Sequence, residues 1–122
     1  MKLNWPWSKK DIGKEGERLA KEFLKTQGYK IVTTNYQNKL GEIDIIAWEK
    51  DTLVFVEVKT RRSGYFGLAK EAVDKHKQHQ MIKVAMCYLK KLNKEELKAR
   101  FDVVAIDLEK NQIELIRNAF CL

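Results

Sequence analysis

Two apolar runs separated by a short polar stretch constrain the fold of this chain more than any other feature. The runs are Gly41 to Trp48 (GEIDIIAW) and Thr52 to Thr60 (TLVFVEVKT). Runs of this length that are rich in β-branched residues and bounded by polar residues are typical of strands, and the short connection favours an antiparallel hairpin. A two-residue turn at Lys50-Asp51 would pair Glu49 with Thr52 and thereby fix the register of every later pair.

The predicted register brings four charged residues together at the end of the hairpin away from the turn. It sets Asp44 opposite Glu57 and Glu42 opposite Lys59. Residues directly opposite each other share a face of the sheet, so all four side chains should project to the same side. The other side is predicted to be apolar and to carry Ile43, Ile45, Ala47, Val54, Val56 and Val58.

The charged end of the hairpin has two interpretations. Two carboxylates that converge across adjacent strands can bind a hard divalent cation such as Mg²⁺. Lys59 would then orient an attacking water or stabilise charge developing on a phosphoryl group, as in metal-assisted phosphodiester hydrolysis. In the other interpretation, Glu42–Lys59 and its neighbours are ordinary cross-strand pairs that stabilise a sheet.

The rest of the chain predicts a single α/β domain. Helical spacing of apolar residues ends at Gly28, and a second long helix is predicted to begin at Leu68 or Glu71. The predicted elements are a helix over 11–27, strands over 29–36, 41–48 and 52–60, a helix ending at 91, and strands over 100–107 and 112–117. The expected fold is one mixed sheet with flanking helices in the order αβββαββ. We expect residues 1–10 to form a basic, aromatic arm and residues 11–122 to form the domain.

Both predicted helices offer polar residues that could face the charged end of the hairpin. Glu17 lies beside the apolar arc of the first helix, where it is either a third acid of the site or a boundary residue that reaches water. Lys77 and Gln80 fall on the inward stripe of the second helix. Lys77 could reach a phosphate there, and either residue could equally cover the edge of the core.

The charge of the chain favours a polyanionic partner, most simply nucleic acid. The 122 residues carry 24 Lys and Arg against 17 Asp and Glu, a formal net charge of +7. Arg61, Arg62 and Tyr65 follow Lys59 and combine phosphate-binding cations with an aromatic ring that can stack on a base. The alternative is that this segment is simply a solvated connection to the next helix.

The sequence also indicates the compartment of the protein. Cys87 and Cys121 are far apart and form no metal-binding spacing, as expected of thiols in a reducing compartment. No apolar run approaches the roughly 20 residues that span a bilayer, and the N-terminus lacks the apolar region of a signal peptide. We therefore expect a cytoplasmic protein without membrane contact. A monomer and a homodimer both remain open.

Five motifs together resemble a known family. GERLA, GEIDIIAW, FVEVKTRRSGYFG, EAVDKHKQ and RFDVVAID occur in this order, and the set is similar to the YraN-like family of bacterial proteins. That family resembles the PD-(D/E)xK, or restriction-endonuclease-like, superfamily and in particular its Holliday-junction-resolvase type. The resemblance implies a metal-binding aspartate at Asp44, the (D/E)xK pair at Glu57 and Lys59, and the acid of the first helix at Glu17. Ile43 occupies the position of the proline that often precedes the aspartate.

Three functional hypotheses follow from these observations. The first is a nuclease that uses Mg²⁺ or Mn²⁺ to hydrolyse DNA, with branched and single-stranded DNA among the candidate substrates. Its catalytic residues would be Asp44, Glu57, Lys59 and Glu17, of which Asp44 and Glu57 bind the metal. The second is a non-catalytic nucleic-acid-binding or accessory module with the same fold. The third is a protein-interaction module that docks through the aromatic segment Trp5-Pro6-Trp7 or a sheet edge.

Overall fold

The order of helices and strands agrees with the prediction. The computed structural model describes residues 9–61, 73–92 and 97–121. Its elements are α1 (Lys9–Thr26), β1 (Lys30–Asn38), β2 (Gly41–Glu49), β3 (Thr52–Arg61), α2 (Lys75–Leu92), β4 (Lys98–Asp107) and β5 (Gln112–Phe120). The predicted α/β class and the order αβββαββ are therefore confirmed. Of the arm predicted over residues 1–10, positions 1–8 lie outside the described residues.

The five strands form one sheet in the order β1-β2-β3-β4-β5. Three neighbouring pairs are antiparallel, whereas β3 and β4 are parallel. Parallel neighbours need a long crossover, and α2 lies in the connection between β3 and β4. Strands β1 and β5 lie at the two edges of the sheet. Strands β3 and β4 pair over ten residues, from Thr52–Lys98 to Arg61–Asp107.

Each face of the sheet is covered by one helix and has its own apolar core. The α1-side core contains Ile12, Ala20 and Leu24 of α1 together with Ile45, Ala47, Val54, Val56, Val104 and Ile106 of the sheet. The α2-side core contains Met81, Val84 and Ala85 of α2 together with Ile46, Leu53, Phe55, Phe101 and Val103. Burial on both faces explains why the central strands read as nearly continuous apolar runs.

One residue of the hairpin was predicted on the wrong face. Ile43 was assigned to the same side as Ile45, but it packs in the α2-side core while Ile45 packs in the α1-side core. The regular alternation of the strand therefore breaks at Asp44. The pairs Thr34–Ile45 and Tyr36–Ile43 flank Asp44 and its neighbour Asn35. Asn35 has φ of 53°, a left-handed conformation that turns the strand locally and that Asn tolerates better than most residues.

The start of α2 also differs from the prediction. The helix begins at Lys75 and not at Leu68 or Glu71. Asp74 is its N-cap, because the backbone N–H of Lys77 donates to Asp74 Oδ1 over 2.8 Å. The N–H of Gln78 donates to the Asp74 carbonyl over 2.9 Å, which closes the first helical turn. This cap places Lys77 in the first turn of α2.

A polar network joins strands β2, β4 and β5 to Tyr29, which directly precedes β1, near the turn end of the β2–β3 hairpin. Asp102 of β4 is fully buried. It accepts hydrogen bonds from Tyr29 Oη (2.7 Å) and Arg100 Nε (2.8 Å). Arg100 and Arg117 each donate to one carboxylate oxygen of Glu49, over 2.6 and 2.8 Å. Burial and the bond to Asp102 raise the pKa of Tyr29 to about 12, so the hydroxyl remains a donor at neutral pH.

Neither helix in the described ranges combines the length and apolarity that crossing a membrane requires.

Candidate metal centre

Strands β2 and β3 of the hairpin separate at Asp44, and we call this point the fork. From Glu49–Thr52 to Ile45–Val56 the β2–β3 pairs follow the predicted register. Beyond Ile45, β2 pairs only with β1 in the described part of the chain, as in Glu42–Gln37. Over the same stretch β3 pairs only with β4, as in Lys59–Ala105. The predicted Glu42–Lys59 pair therefore does not form, and the two strands leave a gap between them.

The side chain of Asp44 lies in this gap, where the two strands begin to separate. Its Oδ2 accepts a hydrogen bond of 2.8 Å from the backbone N–H of Val58, which has no strand partner on β2. A buried N–H needs an acceptor, so the carboxylate takes the place of the missing ladder bond. Glu57 of β3 lies close enough to the Asp44 carboxyl to raise its pKa. Glu57 itself is only 5% exposed.

Two further acids converge on Asp44. Glu17 of α1, Glu42 and Asp44 each offer a carboxylate oxygen, and these oxygens all lie within 4.8 Å of one another. The amide Nε2–H of Gln37 donates to Glu42 Oε2 over 2.9 Å and orients that carboxylate. The polar side chain of Asn35 on β1 lies close to the Glu17 carboxylate. Four acids from α1, β2 and β3 thus share the fork.

Burial and the proximity of these acids raise the pKa values of Asp44 and Glu17. Burial raises the pKa of Asp44 to about 8, and the adjacent Glu57 carboxyl adds to the rise against the opposing Val58 N–H and Lys77 charge. Burial also raises the pKa of Glu17; the negative charges of Asp44 and Glu42 raise it further, whereas the polar side chain of Asn35 opposes them. Like charges held together out of water require either a proton or a cation.

A glycine allows α1 to deliver Glu17 to the fork. Gly16 is buried and directly precedes Glu17. A Cβ at Gly16 would lie 1.9 Å from Thr60 Oγ1, so only glycine permits this approach of α1 to β3. The contact is one residue from Lys59. Gly16 therefore sets how close the acid of the helix comes to the residues of the strand.

Two lysines flank the acids. Lys59 follows Glu57 by two positions on a regularly paired stretch of β3, so both side chains leave the same face. Lys59 is half-buried and makes no ion pair within the described residues. Lys77 Nζ, from the first turn of α2, lies 3.6 Å from Glu57 Oε2. The pair anchors the buried carboxylate to α2.

Of the other residues predicted to bind nucleic acid, the structure describes Gln80 and Arg61. The side chain of Gln80 rests against Gly41 at the start of β2, where it lines a groove with residues 37–42. Arg61 is exposed at the end of β3. Arg62 and Tyr65 lie outside the described residues. The fork thus brings together Glu17, Asp44 and Glu57, with Lys59 and Lys77 beside them.

Glu42 is the member of the cluster whose predicted partner was wrong. It was placed in a pair with Lys59, but it lies with Glu17 and Asp44. The spacing Glu42-x-Asp44 was an available signal, since residues two apart on a strand share a face. The break in alternation at Asp44 made that rule unreliable here, and only the fold brings Glu17 close to both.

The fold and the fork define a class of protein: a mixed α/β domain with one five-stranded sheet, two helices and a carboxylate cluster where two central strands separate. The chain belongs to the UPF0102 family, described as an uncharacterised protein family, which matches residues 16–106. The YraN-like resemblance is thereby confirmed at the level of the family.

Relatives from several bacteria match nearly the whole chain. A UPF0102 protein of Desulfosudis oleivorans is 46% identical over 112 residues, which cover 92% of this chain and 91% of the relative. One from Caldanaerobacter subterraneus is 44% identical over 118 residues, covering 93% and 97%. One from Syntrophus aciditrophicus is 47% identical over 110 residues, covering 88% and 87%. The similarity therefore spans the domain and not one motif.

Proposed function

We propose that this protein is a metal-dependent nuclease of the PD-(D/E)xK type that hydrolyses phosphodiester bonds in DNA. The observation that carries the proposal is the fork, where Glu17, Glu42 and Asp44 bring carboxylate oxygens within 4.8 Å of one another and the buried Glu57 lies close enough to raise the pKa of Asp44. An arrangement that only stabilised the sheet would pair these acids with cations across the strands. Instead, three of the four acids place oxygens within 4.8 Å of one another, and within the described residues only Glu57 has a cation partner, Lys77.

The spacing of the oxygens suits a small divalent cation. Mg²⁺ binds oxygen at about 2.0–2.1 Å, so two ligands on opposite sides of the ion are about 4.2 Å apart. The oxygens of Glu17, Glu42 and Asp44 lie within 4.8 Å of one another before any cation draws them in. Asp44 and Glu57 would hold Mg²⁺ or Mn²⁺, and Glu17 and Glu42 would complete the set directly or through water. Such a cation supplies charge stabilisation at the phosphoryl oxygens and acidifies bound water.

The other residues of the fork have roles that follow from their positions. Lys59 shares a face with Glu57 and makes no ion pair in the described part of the chain, so its ammonium group is available to a phosphate oxygen or to the attacking water. Lys77 holds the Glu57 carboxylate in place through their 3.6 Å contact. Glu17, whose pKa is raised mainly by burial, is placed to accept or release a proton beside the reacting water.

The proposed substrate follows from charge. The net charge of +7 favours a polyanion, and the exposed Arg61 extends the strand that carries Glu57 and Lys59. DNA phosphates would approach the fork from this basic end. A non-catalytic module would share this surface and would bind DNA with the same salt dependence, but would have no metal requirement.

A cleavage assay with matched variants tests the proposal. Labelled single-stranded, duplex, flap and four-way-junction DNA would be incubated with Mg²⁺, Mn²⁺ or EDTA. We expect wild-type cleavage that needs metal and disappears in Glu57→Gln, which keeps the shape of the side chain. The control Glu114→Gln, at an exposed site on β5, should cleave like wild type. Full activity of Glu57→Gln would refute the assignment.

Metal binding provides a second test that does not depend on turnover. Titration of Mn²⁺ into the wild-type protein should give saturable heat by calorimetry, and Asp44→Asn should lose most of it. The Glu114→Gln control should retain it. Binding of Mn²⁺ that is equal in wild type and Asp44→Asn would place the metal elsewhere. DNA binding without metal binding or cleavage would favour the accessory module.

A further inference from the structure

A polar groove borders the carboxylate cluster and belongs to none of the roles above. It lies between the β1–β2 turn and α2, has a volume of about 390 Å³, and is lined by residues 37–42 and Gln80. Glu42 lines the groove and is also a member of the carboxylate cluster. We propose that the groove receives one unpaired nucleotide next to the phosphate that is cut. This inference rests on the proposed nuclease function and specifies its substrate as DNA with a single-stranded segment.

The amides that line the groove have free hydrogen-bonding atoms of both kinds. Gln37 uses its Nε2–H on Glu42, which leaves its carbonyl Oε1 as an acceptor. Asn38 uses Oδ1 to accept the N–H of Leu40 over 2.8 Å, which leaves its Nδ2–H₂ as a donor. Gln80 adds a donor and an acceptor from the opposite wall, since its amide makes no hydrogen bond within the described residues. Amides that combine donor and acceptor atoms are the groups that read the edges of bases.

The rim of the groove supplies the other two contacts that a nucleotide needs. Lys39 is exposed at the turn and can bind a phosphate oxygen. Leu40 is one of the few large apolar side chains exposed in the described structure, at 44%. An apolar side chain next to unpaired polar groups offers a surface on which the flat face of a base can rest. The four consecutive residues 37–40 therefore supply two amides, a cation and an apolar side chain.

The groove has room for one nucleotide. Its volume lies at the lower end of the roughly 300–1,000 Å³ typical of ligand pockets. The side chain of Gln80 forms one wall and lies against Gly41, since a Cβ at Gly41 would come within 2.6 Å of Gln80 Cγ. A base whose Watson–Crick edge contacts the amides of the groove has left its pairing partner, as in enzymes that act on extruded bases.

DNA binding measured apart from cleavage tests this inference. A fluorescein-labelled single strand of about 12 nucleotides and the same sequence as a blunt duplex would be titrated by anisotropy, in EDTA and in Ca²⁺, with gels to verify intact DNA. We expect the single strand to bind about tenfold more tightly than the duplex. Leu40→Ser and Gln80→Ala should each weaken single-strand binding about fivefold and leave duplex binding unchanged.

Two matched controls isolate the groove. Val32→Ser alters an apolar side chain of the same strand pair with nearly the same exposure, 43%, outside the groove. Gln112→Ala removes an exposed amide on β5. Both should bind like wild type. Equal affinity for single strand and duplex, or losses in the controls as large as in Leu40→Ser and Gln80→Ala, would overturn the inference.

The results also separate this inference from the proposed function. Cleavage that depends on Glu57, combined with no effect of Leu40 or Gln80 on single-strand binding, would refute the groove and keep the nuclease. A single-strand preference that depends on both residues, without any cleavage, would support the groove as a binding site and refute catalysis.

Discussion

Ile43 and Ile45 lie two positions apart on β2, yet their side chains pack in cores on opposite faces of the sheet. The residue between them is Asp44, opposite the left-handed Asn35 of β1. Because the strand turns over at this point, Asp44 belongs to neither core. Its carboxylate can therefore meet Glu17, which comes from the α1 side, and Glu57, which is anchored to α2 through Lys77.

The raised pKa of Asp44 predicts an unusual pH dependence of stability in the metal-free protein. Burial and Glu57 raise this pKa from 3.8 to about 8, so the folded state holds a proton that the unfolded state releases. The free energy of unfolding should then fall as pH rises from about 4 to about 8, with no further loss from this group above that range. Urea unfolding in EDTA across this range would measure it.

Asp44→Asn isolates this effect, because asparagine cannot titrate. The difference in unfolding free energy between Asp44→Asn and wild type should grow in favour of the variant as pH rises. Glu114→Gln, at an exposed site, should follow wild type. Parallel pH profiles for wild type and Asp44→Asn would contradict the shift. Saturating Mg²⁺ at pH 8 should stabilise wild type and have no effect on the variant.

Replacing Lys59 should reduce turnover without weakening metal binding. Lys59→Met keeps the length of the side chain and removes the charge that we place beside the phosphate. We expect kcat to fall by about a hundredfold to a thousandfold, the usual loss when one charge-stabilising donor is removed. The affinity for Mn²⁺ should not fall, because the substitution removes a positive charge that repels the cation. Lys83→Met, exposed on α2, is the matched control and should keep its activity.

Two glycines of α1 should respond oppositely to the same substitution. Gly16→Ala forces a methyl group into Thr60 and pushes α1 away from β3. We expect a loss of about 2 kcal/mol in unfolding free energy, and weaker Mn²⁺ binding because Glu17 moves with the helix. In Gly13→Ala the added methyl group has no other atom within 4 Å, so this substitution should stabilise the helix by about 0.5–1 kcal/mol. Thermal unfolding of both variants measures these changes in stability. Equal effects of the two substitutions would refute the close approach of Gly16 to Thr60.

The buried network around Asp102 should matter far more to stability than an exposed ion pair. Asp102→Ala leaves Arg100 and Tyr29 without their buried acceptor, and we expect a loss of about 3–5 kcal/mol. Asp51 pairs with Lys98 in water, and Asp51→Ala should hardly change stability. Chemical unfolding of the two variants would measure their free energies of unfolding against that of the wild type. A small loss in Asp102→Ala would mean that water replaces the network.

The register of the hairpin and the order of the elements were predictable because both follow from local rules. The two-residue turn at Lys50-Asp51 fixed the pairs from Glu49–Thr52 to Ile45–Val56. The turn in β2 at Asp44 was not predictable, because it depends on the backbone of Asn35 in a neighbouring strand.

The ends of other elements were also set by contacts beyond the pattern. Asp74 caps α2, so the helix starts later than its apolar spacing indicated. β5 continues past Arg117 to Phe120, whose ring stacks on Phe101 at 4.7 Å between centroids.

The network that holds the turn end of the hairpin together also has a consequence for how the chain folds. Its hydrogen bonds from Tyr29 to Asp102 and from Arg117 to Tyr29 join residues 73 and 88 positions apart. Closing such long loops costs entropy before any contact is gained, so these bonds form after local structure. The β2–β3 hairpin, with its two-residue turn, can form first. The hairpin would then bring Asp44 and Glu57 near each other early, whereas Glu17 of α1 and the opposite end of the sheet would join later.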